Sequence, residues 1–417
     1  MMGKTLDVYL NGLPIGELRS DKARLGFRYA PAYLSSPGAM QLSAAFPLCD
    51  RSYGHEVVAP FFFGLLPDGA VRTRLAKYVR VSEKNTFALL EAVGGECAGA
   101  VSLFPAGQGP DEASAPTYRV LAEEEAHDLL SALDKRPLLV GEEGVRISGA
   151  GAQDKMMVAF VNGKPAIPTG STPSTHIIKP AIKNLNETVQ NEFFCIRLAS
   201  EVGLPTPAVH IYKIRGESYY LVERYDRRKS SQGLVSRLHQ EDFCQALQLP
   251  PELKYENEGG PSLAQCFDLL ETRVRAGIMA GRDRLTLFDG VIFNFLIGNG
   301  DAHGKNFSLL YTGGSEVLAP FYDLMCTRVY GDAFKSRMAM KIGGKYRFED
   351  VKEHHFMKLG EALGFRADFV RKRVCGMCEK LLKASSHLAG TLDFSPIYAE
   401  IGKVIAAHSR QILAIER

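Results

Sequence analysis

The feature that most constrains this chain is a change of hydrophobic texture along its length. Its front alternates apolar and polar residues, and its back spaces them as helices do. Asp7-Val8-Tyr9-Leu10, then Asn11-Gly12, then Leu13-Pro14-Ile15 reads as a strand, a tight turn and a returning strand. Phe27-Arg28-Tyr29 alternates likewise, and Phe61-Phe62-Phe63-Gly64-Leu65-Leu66-Pro67 reads as buried core rather than a partner patch. Residues 106–116, rich in Gly, Pro and small side chains, form the best linker. Residues 118–225 mix both textures, with a short buried strand at Thr175–Pro180, a helix at Thr188–Val202 and strands at Val209–Ile214 and Tyr219–Glu223. Beyond 226, helices are expected at Glu241–Leu249, Ser262–Met279 and Leu287–Ile297. A last helix starts at Ser395-Pro396, with Ser395 as N-cap and Ile397, Ile401, Val404, Ile405 and Ile412 on one face. No internal repeat or low-complexity tract interrupts this order. The expected organisation is a β-rich subdomain over 1–108, a mixed lobe over 117–225 and a helical lobe over 226–417, an α+β chain.

Composition narrows the function classes. The chain has 417 residues, enough for two or three domains, and 46% hydrophobic against 23% charged residues suits a globular protein. Lys and Arg number 50 against 47 Asp and Glu, so a net charge of +3 excludes a protein that coats nucleic acid and leaves only a local patch. No run approaches the roughly 18 apolar residues of a membrane span, and the first residues lack the apolar core of a signal peptide. The 8 cysteines are scattered. Cys375-Gly-Met-Cys378 stands without a second ligand pair, so two thiols on a helix are favoured over a zinc site. A cytoplasmic chain without disulfides is expected.

The residues that point to chemistry are Gly298-Asn-Gly-Asp301-Ala-His303-Gly-Lys305-Asn306-Phe-Ser308. Asp, His, Lys and Asn packed this closely form either a solvated turn or a catalytic loop. A second cluster, Pro320-Phe-Tyr-Asp323-Leu324, sets a carboxylate inside an apolar segment, where burial without a partner is costly and a metal ion compensates. Asp and Asn oxygens suit magnesium held together with substrate phosphates. Asp301 and Asn306 lie five residues apart and Asp323 follows 17 later, a spacing that fits phosphoryl transfer. In that chemistry Asp301 orients the attacking hydroxyl, Asn306 and Asp323 hold metal, and Lys305 offsets phosphoryl charge.

Phosphate contacts upstream are available. Ser148-Gly149-Ala150-Gly151-Ala152-Gln153-Asp154-Lys155 is a small-residue loop whose N–H groups can approach phosphates, although small residues in loops are commonly plain turns. Lys179 closes an apolar strand, and Glu192, thirteen residues on, is placed to pair with it. Glu223-Arg224-Tyr225 leaves a strand where the helical half begins, the position of an adenine-binding hinge or of an ordinary strand end.

Taken in order, these strings resemble the HipA family of toxin serine/threonine kinases. Arg146–Lys155, Ser174–Pro180, Asn191–Cys195, Val222–Arg227, Gln240–Cys244, Lys254–Glu256 with Gly259–Pro261, Gly300–Ser308 and Pro320–Asp323 carry the resemblance over nearly the whole chain. It implies a two-lobed, protein-kinase-like fold with an added β-rich N-terminal subdomain, and dependence on ATP and Mg2+. It assigns Asp301 as the base, Asn306 and Asp323 as metal ligands, and Lys179 as the phosphate-contacting lysine. It places residues 149–155 over the phosphates and 223–225 at the adenine, and makes Ser148 an autophosphorylation site that switches the kinase off. Asp154 departs from the glutamate expected there. The implied partners are a helix-turn-helix antitoxin, operator DNA reached mainly through it, and a protein substrate of the aminoacyl-tRNA synthetase class. Arg328, Lys335, Arg337, Lys341, Lys345 and Arg347 form a basic stretch, read as a solvated face or a phosphate contact. The rival readings are a catalytically weak corepressor and a kinase of a small molecule or lipid.

Overall fold

The computed structural model describes residues 4–110, 116–231 and 233–413, so residues 111–115 of the expected linker and the first three residues lie outside the described ones. The chain forms two compact units, each discontinuous in sequence. One comprises Met1–Pro180, Tyr212–Glu252 and Leu309–Ser315; the other comprises Ala181–Ile211, Leu253–Ser308 and Glu316–Arg417. The three consecutive segments expected from texture do not coincide with these units. Texture reports local periodicity, whereas compactness is set by contacts between distant segments, so helix Thr188–Glu201 joins the helical unit while residues 226–252 stay with the sheets.

The two larger sheets of the first unit lie over two separate cores. The front sheet runs, in spatial order, Ser52–Tyr53, Arg24–Tyr29, Leu13–Asp21, Lys4–Leu10 and Val101–Pro105, with every neighbour antiparallel. Asn11 and Gly12 have φ of 50° and 83° and join Leu10 to its partner Leu13, the left-handed pair that a two-residue hairpin requires. Helices His55–Gly64, Gly69–Tyr78 and Thr86–Val93 accompany this sheet. Phe61 and Phe62 lie fully buried beside Phe27 and Phe46, so the aromatic run is core, carried on a helix. The second sheet orders Val209–Ile214, Glu217–Glu223, His176–Lys179, Met156–Val161, Lys164–Pro168 and Tyr118–Val120. Its core of Leu130, Leu138, Met156, Val158, Ile167, Ile178 and Leu221 is distinct from the first.

The second unit is helical: Thr188–Glu201, Leu263–Arg275, Arg282–Leu296, Glu353–Ala362, Ala367–Thr391 and Pro396–Leu413. Ser262 opens its helix with a reciprocal cap, its Oγ accepting from Gln265 N–H at 3.3 Å while Ser262 N–H donates to Gln265 Oε1 at 3.0 Å. The last helix begins at Pro396, directly after Ser395 as expected, and a second group joins its cap. Glu187 accepts both the Ser395 hydroxyl at 2.6 Å and the Ile397 N–H at 3.1 Å, so a distant carboxylate meets the helix's positive end. Ile397, Ile401, Ile405 and Ile412 are buried as the periodicity requires, each worth roughly 1.5–3 kcal/mol of burial. Cys375 and Cys378 lie on helix Ala367–Thr391, and no group of three or more His, Cys, Asp or Glu forms a metal cluster among the described residues. Among those residues, no helix is long and apolar enough to cross a membrane.

Candidate active site

The apolar helix Arg282–Leu296 delivers the polar loop that follows it. Gly298 turns out of the helix at φ 71°, and a Cβ there would lie 2.8 Å from the Arg328 side chain. Side chains then brace the loop. Asn299 donates to Asn294 Oδ1 at 2.8 Å and accepts the Asp301 N–H at 3.0 Å, and Gly300 N–H donates to Thr327 Oγ1 at 2.8 Å. Residues Gly304–Asn306 form one tight helical turn. It keeps the Asn306 amide near Asp301, to whose carbonyl it donates at 3.3 Å.

Asp301 sits at the centre of this arrangement, with about a third of its side chain (36%) open to solvent. The Tyr255 hydroxyl donates to Asp301 Oδ1 at 2.6 Å. Burial raises the Asp301 pKa above the ordinary carboxylate range and the charge of Asp323 adds to this, while the Tyr255 bond and Lys254 pull the other way. His303 is buried, with Nε2 4.0 Å from Asp301 Oδ2 and its ring edge-on to Tyr255 at 5.3 Å between centroids. Burial, reinforced by Lys254, holds its pKa well below normal, so the imidazole is neutral. Lys305 and Asn306 are buried too, and Tyr322 fixes their turn by donating its hydroxyl to the Lys305 carbonyl at 2.8 Å.

Asp323 corrects the sequence reasoning. It was expected to be buried among apolar neighbours; it is exposed, while Phe321 and Leu324 on either side are buried. The reason is local. Asp323 adopts φ 56°, a left-handed conformation uncommon for a residue with a Cβ, so the burial of its neighbours in sequence does not carry over to its own side chain. The case for a metal therefore rests on charge rather than on desolvation. The Asp323 charge raises the pKa of Asp301, so a cation near both would relieve repulsion. With the Asn306 amide oxygen this donor set fits magnesium, which takes one or two carboxylates and completes its shell with phosphate oxygens and water.

The sheet unit holds the other expected residues. The Ser148–Lys155 loop is backed by the second core, and Gly149 packs tightly against it. A Cβ would lie 2.1 Å from Met157 Cε. Gly151 has φ 102°, open to glycine alone at little cost. Lys155 Nζ donates back to the Ala150 carbonyl at 2.5 Å, and Gln153 Nε2 to the Pro180 carbonyl at 3.0 Å. Ser148 is buried, its hydroxyl donating to the Leu65 carbonyl at 2.6 Å and its N–H to the Glu96 carbonyl at 2.7 Å. Asp154 meets Arg74 at 2.5 Å. Lys179 ends strand His176–Lys179, buried, with Nζ 5.4 Å from the centroid of the Tyr220 ring on the neighbouring strand. Glu192 is buried within helix Thr188–Glu201 of the helical unit.

The expected hinge has a different side-chain role at its middle residue. Arg224 is buried in a four-charge network, bonding Asp226 at 2.8 Å and Glu96 at 3.1 Å, with Arg227 on Glu96 at 2.7 Å. Its N–H is committed to the Thr175 carbonyl at 2.9 Å. Ser174 adds its N–H and hydroxyl to Glu96. Burial opposes ionisation of Glu96, yet Arg227, Arg237 and Arg224 outweigh it and hold the carboxyl at about 2. Glu223 is exposed and the Tyr225 hydroxyl bonds Gln240. The basic stretch is largely neutralised: Arg328 pairs with Glu349 at 2.7 Å, Lys335 with Glu258 at 2.5 Å and Lys341 with Glu256 at 3.0 Å. It reads as a solvated, paired face. Sequence reasoning gave Tyr255, Glu96 and Arg74 no role. The Lys254–Glu256 motif was the one signal for Tyr255.

An antiparallel-sheet unit with a strand lysine and a small-residue loop, and a helical unit with an Asp–Asn pair and a second carboxylate, define a protein of the serine/threonine-protein-kinase class. Comparison with known proteins gives the particular family. Residues 6–104 match the family described as "HipA N-terminal domain" and residues 147–385 the "HipA-like C-terminal domain". Y4mE of Sinorhizobium fredii is 38% identical over 408 residues, covering 97% of this chain and 96% of that protein. The serine/threonine-protein kinase toxin HipA of Shewanella oneidensis is 29% identical over 423 residues, covering 98% and 94%. A solved Shewanella oneidensis complex of HipA, HipB and operator DNA contains a chain that superposes with a TM-score of 0.83 at 26% identity, covering 98% of both chains. The chain belongs to the HipA family of serine/threonine-kinase toxins.

Proposed function

We propose that this protein transfers the γ-phosphoryl group of ATP to serine or threonine hydroxyls, with Asp301 as the base. The carrying observation is the Asp301 carboxylate: one oxygen is anchored by Tyr255 at 2.6 Å while about a third of the side chain (36%) stays open to an acceptor. The acceptor hydroxyl gives its proton to Asp301 as its oxygen bonds the γ-phosphorus. The bond to the β-phosphate oxygen breaks and ADP leaves. Asn306 and Asp323 would hold Mg2+, which when bound neutralises phosphate charge. Lys305 and Lys179 supply further positive charge, and N–H groups of residues 149–155 approach the phosphates. Backbone groups of residues 223–225 take the adenine, an assignment that involves neither the Arg224 side chain nor its N–H, which bonds Thr175.

Ser148 is the regulatory phosphosite. A phosphate adds about −1.5 to −2 charge at a residue that is buried and bonded to Leu65, so phosphorylated Ser148 and the closed loop are incompatible. The Shewanella relative was solved in a complex with HipB and operator DNA; here the partner is a helix-turn-helix antitoxin, through which the kinase mainly reaches operator DNA, and the substrate is a cytoplasmic protein of the aminoacyl-tRNA synthetase class. The test is direct. Purified chain with Mg-ATP is offered cellular proteins, and ADP release and phosphopeptides are measured. The reading predicts phosphoserine or phosphothreonine on a protein acceptor; transfer only to lipid or small-molecule acceptors, or no ATP turnover, refutes it.

A further inference from the structure

The Ser148–Lys155 loop is held from outside by one turn and one helix of the front subdomain. The Leu65 carbonyl accepts the Ser148 hydroxyl at 2.6 Å, and Asp68 N–H donates to the Gly151 carbonyl at 3.0 Å. Pro67 and Gly151 form a parallel bridge, as do Glu96 and Ile147 just ahead of the loop. Helix Gly69–Tyr78 begins directly after Asp68, and one turn along it Arg74 reaches Asp154 at 2.5 Å, both side chains mostly covered at 31% and 24% exposure. Every contact but the last uses loop backbone or Ser148 itself. The Arg74–Asp154 pair is made between side chains alone, and it holds the loop near its far end.

From this geometry we infer that the Leu65–Tyr78 segment is a clamp on the nucleotide loop and that Arg74 is its positioning residue. The inference rests on the proposed role of the loop in ATP binding and deepens it. With the clamp closed, the loop amides are fixed in place and Ser148 is hidden. With the clamp open, the loop is less ordered for phosphate binding and Ser148 is available. The strength of one ion pair therefore sets both the affinity for ATP and the ease of modification. It also accounts for Asp154: with Arg74 at 2.5 Å, the shorter acid suffices to make the bridge.

Amide hydrogen exchange over residues 148–155 tests the clamp without relying on catalysis. Arg74→Met keeps the aliphatic stem, and Asp154→Asn removes the charge from the other side. A half-buried charged pair lies between the exposed and the fully charge-assisted limits, so each variant should exchange about three- to tenfold faster there than wild type. The double charge swap, Arg74→Asp with Asp154→Arg, should return exchange toward wild type. In Arg74→Met KM for ATP should rise by a similar factor, and initial Ser148 phosphorylation should speed up. Unchanged exchange in both single variants overturns the clamp. Faster exchange with no phosphotransfer by any form, wild type included, supports the clamp and overturns the kinase reading instead.

Discussion

Replacing Tyr255 by Phe removes one oxygen and nothing else from the surroundings of Asp301. The lost contact is a 2.6 Å hydrogen bond from a hydroxyl to a carboxylate. Such a charge-assisted bond contributes about 1.5–3 kcal/mol. Lost wholly at the transition state, it would slow the chemical step by about ten- to 150-fold. Asp301 is partly open, at 36% exposure, so water replaces some of the bond and the lower end is expected: kcat about tenfold down, with KM for ATP little changed. The pH profile gives a second reading. Tyr255 lowers the Asp301 pKa against the larger upward effect of burial, and removing it lets the pKa rise further. The base works ionised, so the acid limb of kcat must move to higher pH in the variant. ADP release at saturating Mg-ATP, followed across pH in both proteins, measures both effects. If kcat stays within about twofold and the acid limb does not move, Tyr255 does not position the base and the argument from this bond fails.

Three further outcomes follow from buried contacts. Glu96→Gln strips one charge from a buried network and should destabilise the protein by about 3–5 kcal/mol in denaturant titration. Because the native Glu96 pKa is held at about 2, below the ordinary 4.5, its contribution is complete above about pH 4.5 and disappears as pH falls toward 2; wild type should show this loss and Glu96→Gln should lack it. Gly149→Ala sets a Cβ 2.1 Å from Met157 Cε; the flexible methionine end can move aside, so a destabilisation of about 1–3 kcal/mol is the upper limit expected in urea unfolding. Glu187→Ala removes the acceptor at the start of helix Pro396–Leu413 and should cost about 1 kcal/mol of stability by urea unfolding.

What the sequence made legible was local. The Asp301–Asn306 loop stands out because its polar residues follow an apolar helix, and the Asn11-Gly12 hairpin because its left-handed turn leaves few residue choices. Asp323 was expected to be buried and is exposed; its backbone is left-handed, and no side-chain pattern announces a backbone angle. Arg224 was read from its place after a strand, while its partner Glu96 lies 128 residues away. Arg74 and Asp154 are 80 residues apart, and Glu187 caps a helix that begins more than 200 residues later. Such pairs are set by which segments fold against one another, and that also makes each compact unit discontinuous.

The central claim is that Asp301 is the base of a protein kinase that modifies its own Ser148. Incubating the wild-type chain and Asp301→Asn with Mg-ATP, then measuring intact mass and mapping phosphopeptides, tests it most directly. The account predicts one added phosphate, on Ser148, in the wild type and none in Asp301→Asn, with both proteins melting alike. Equal phosphorylation of Ser148 in the two proteins would contradict it.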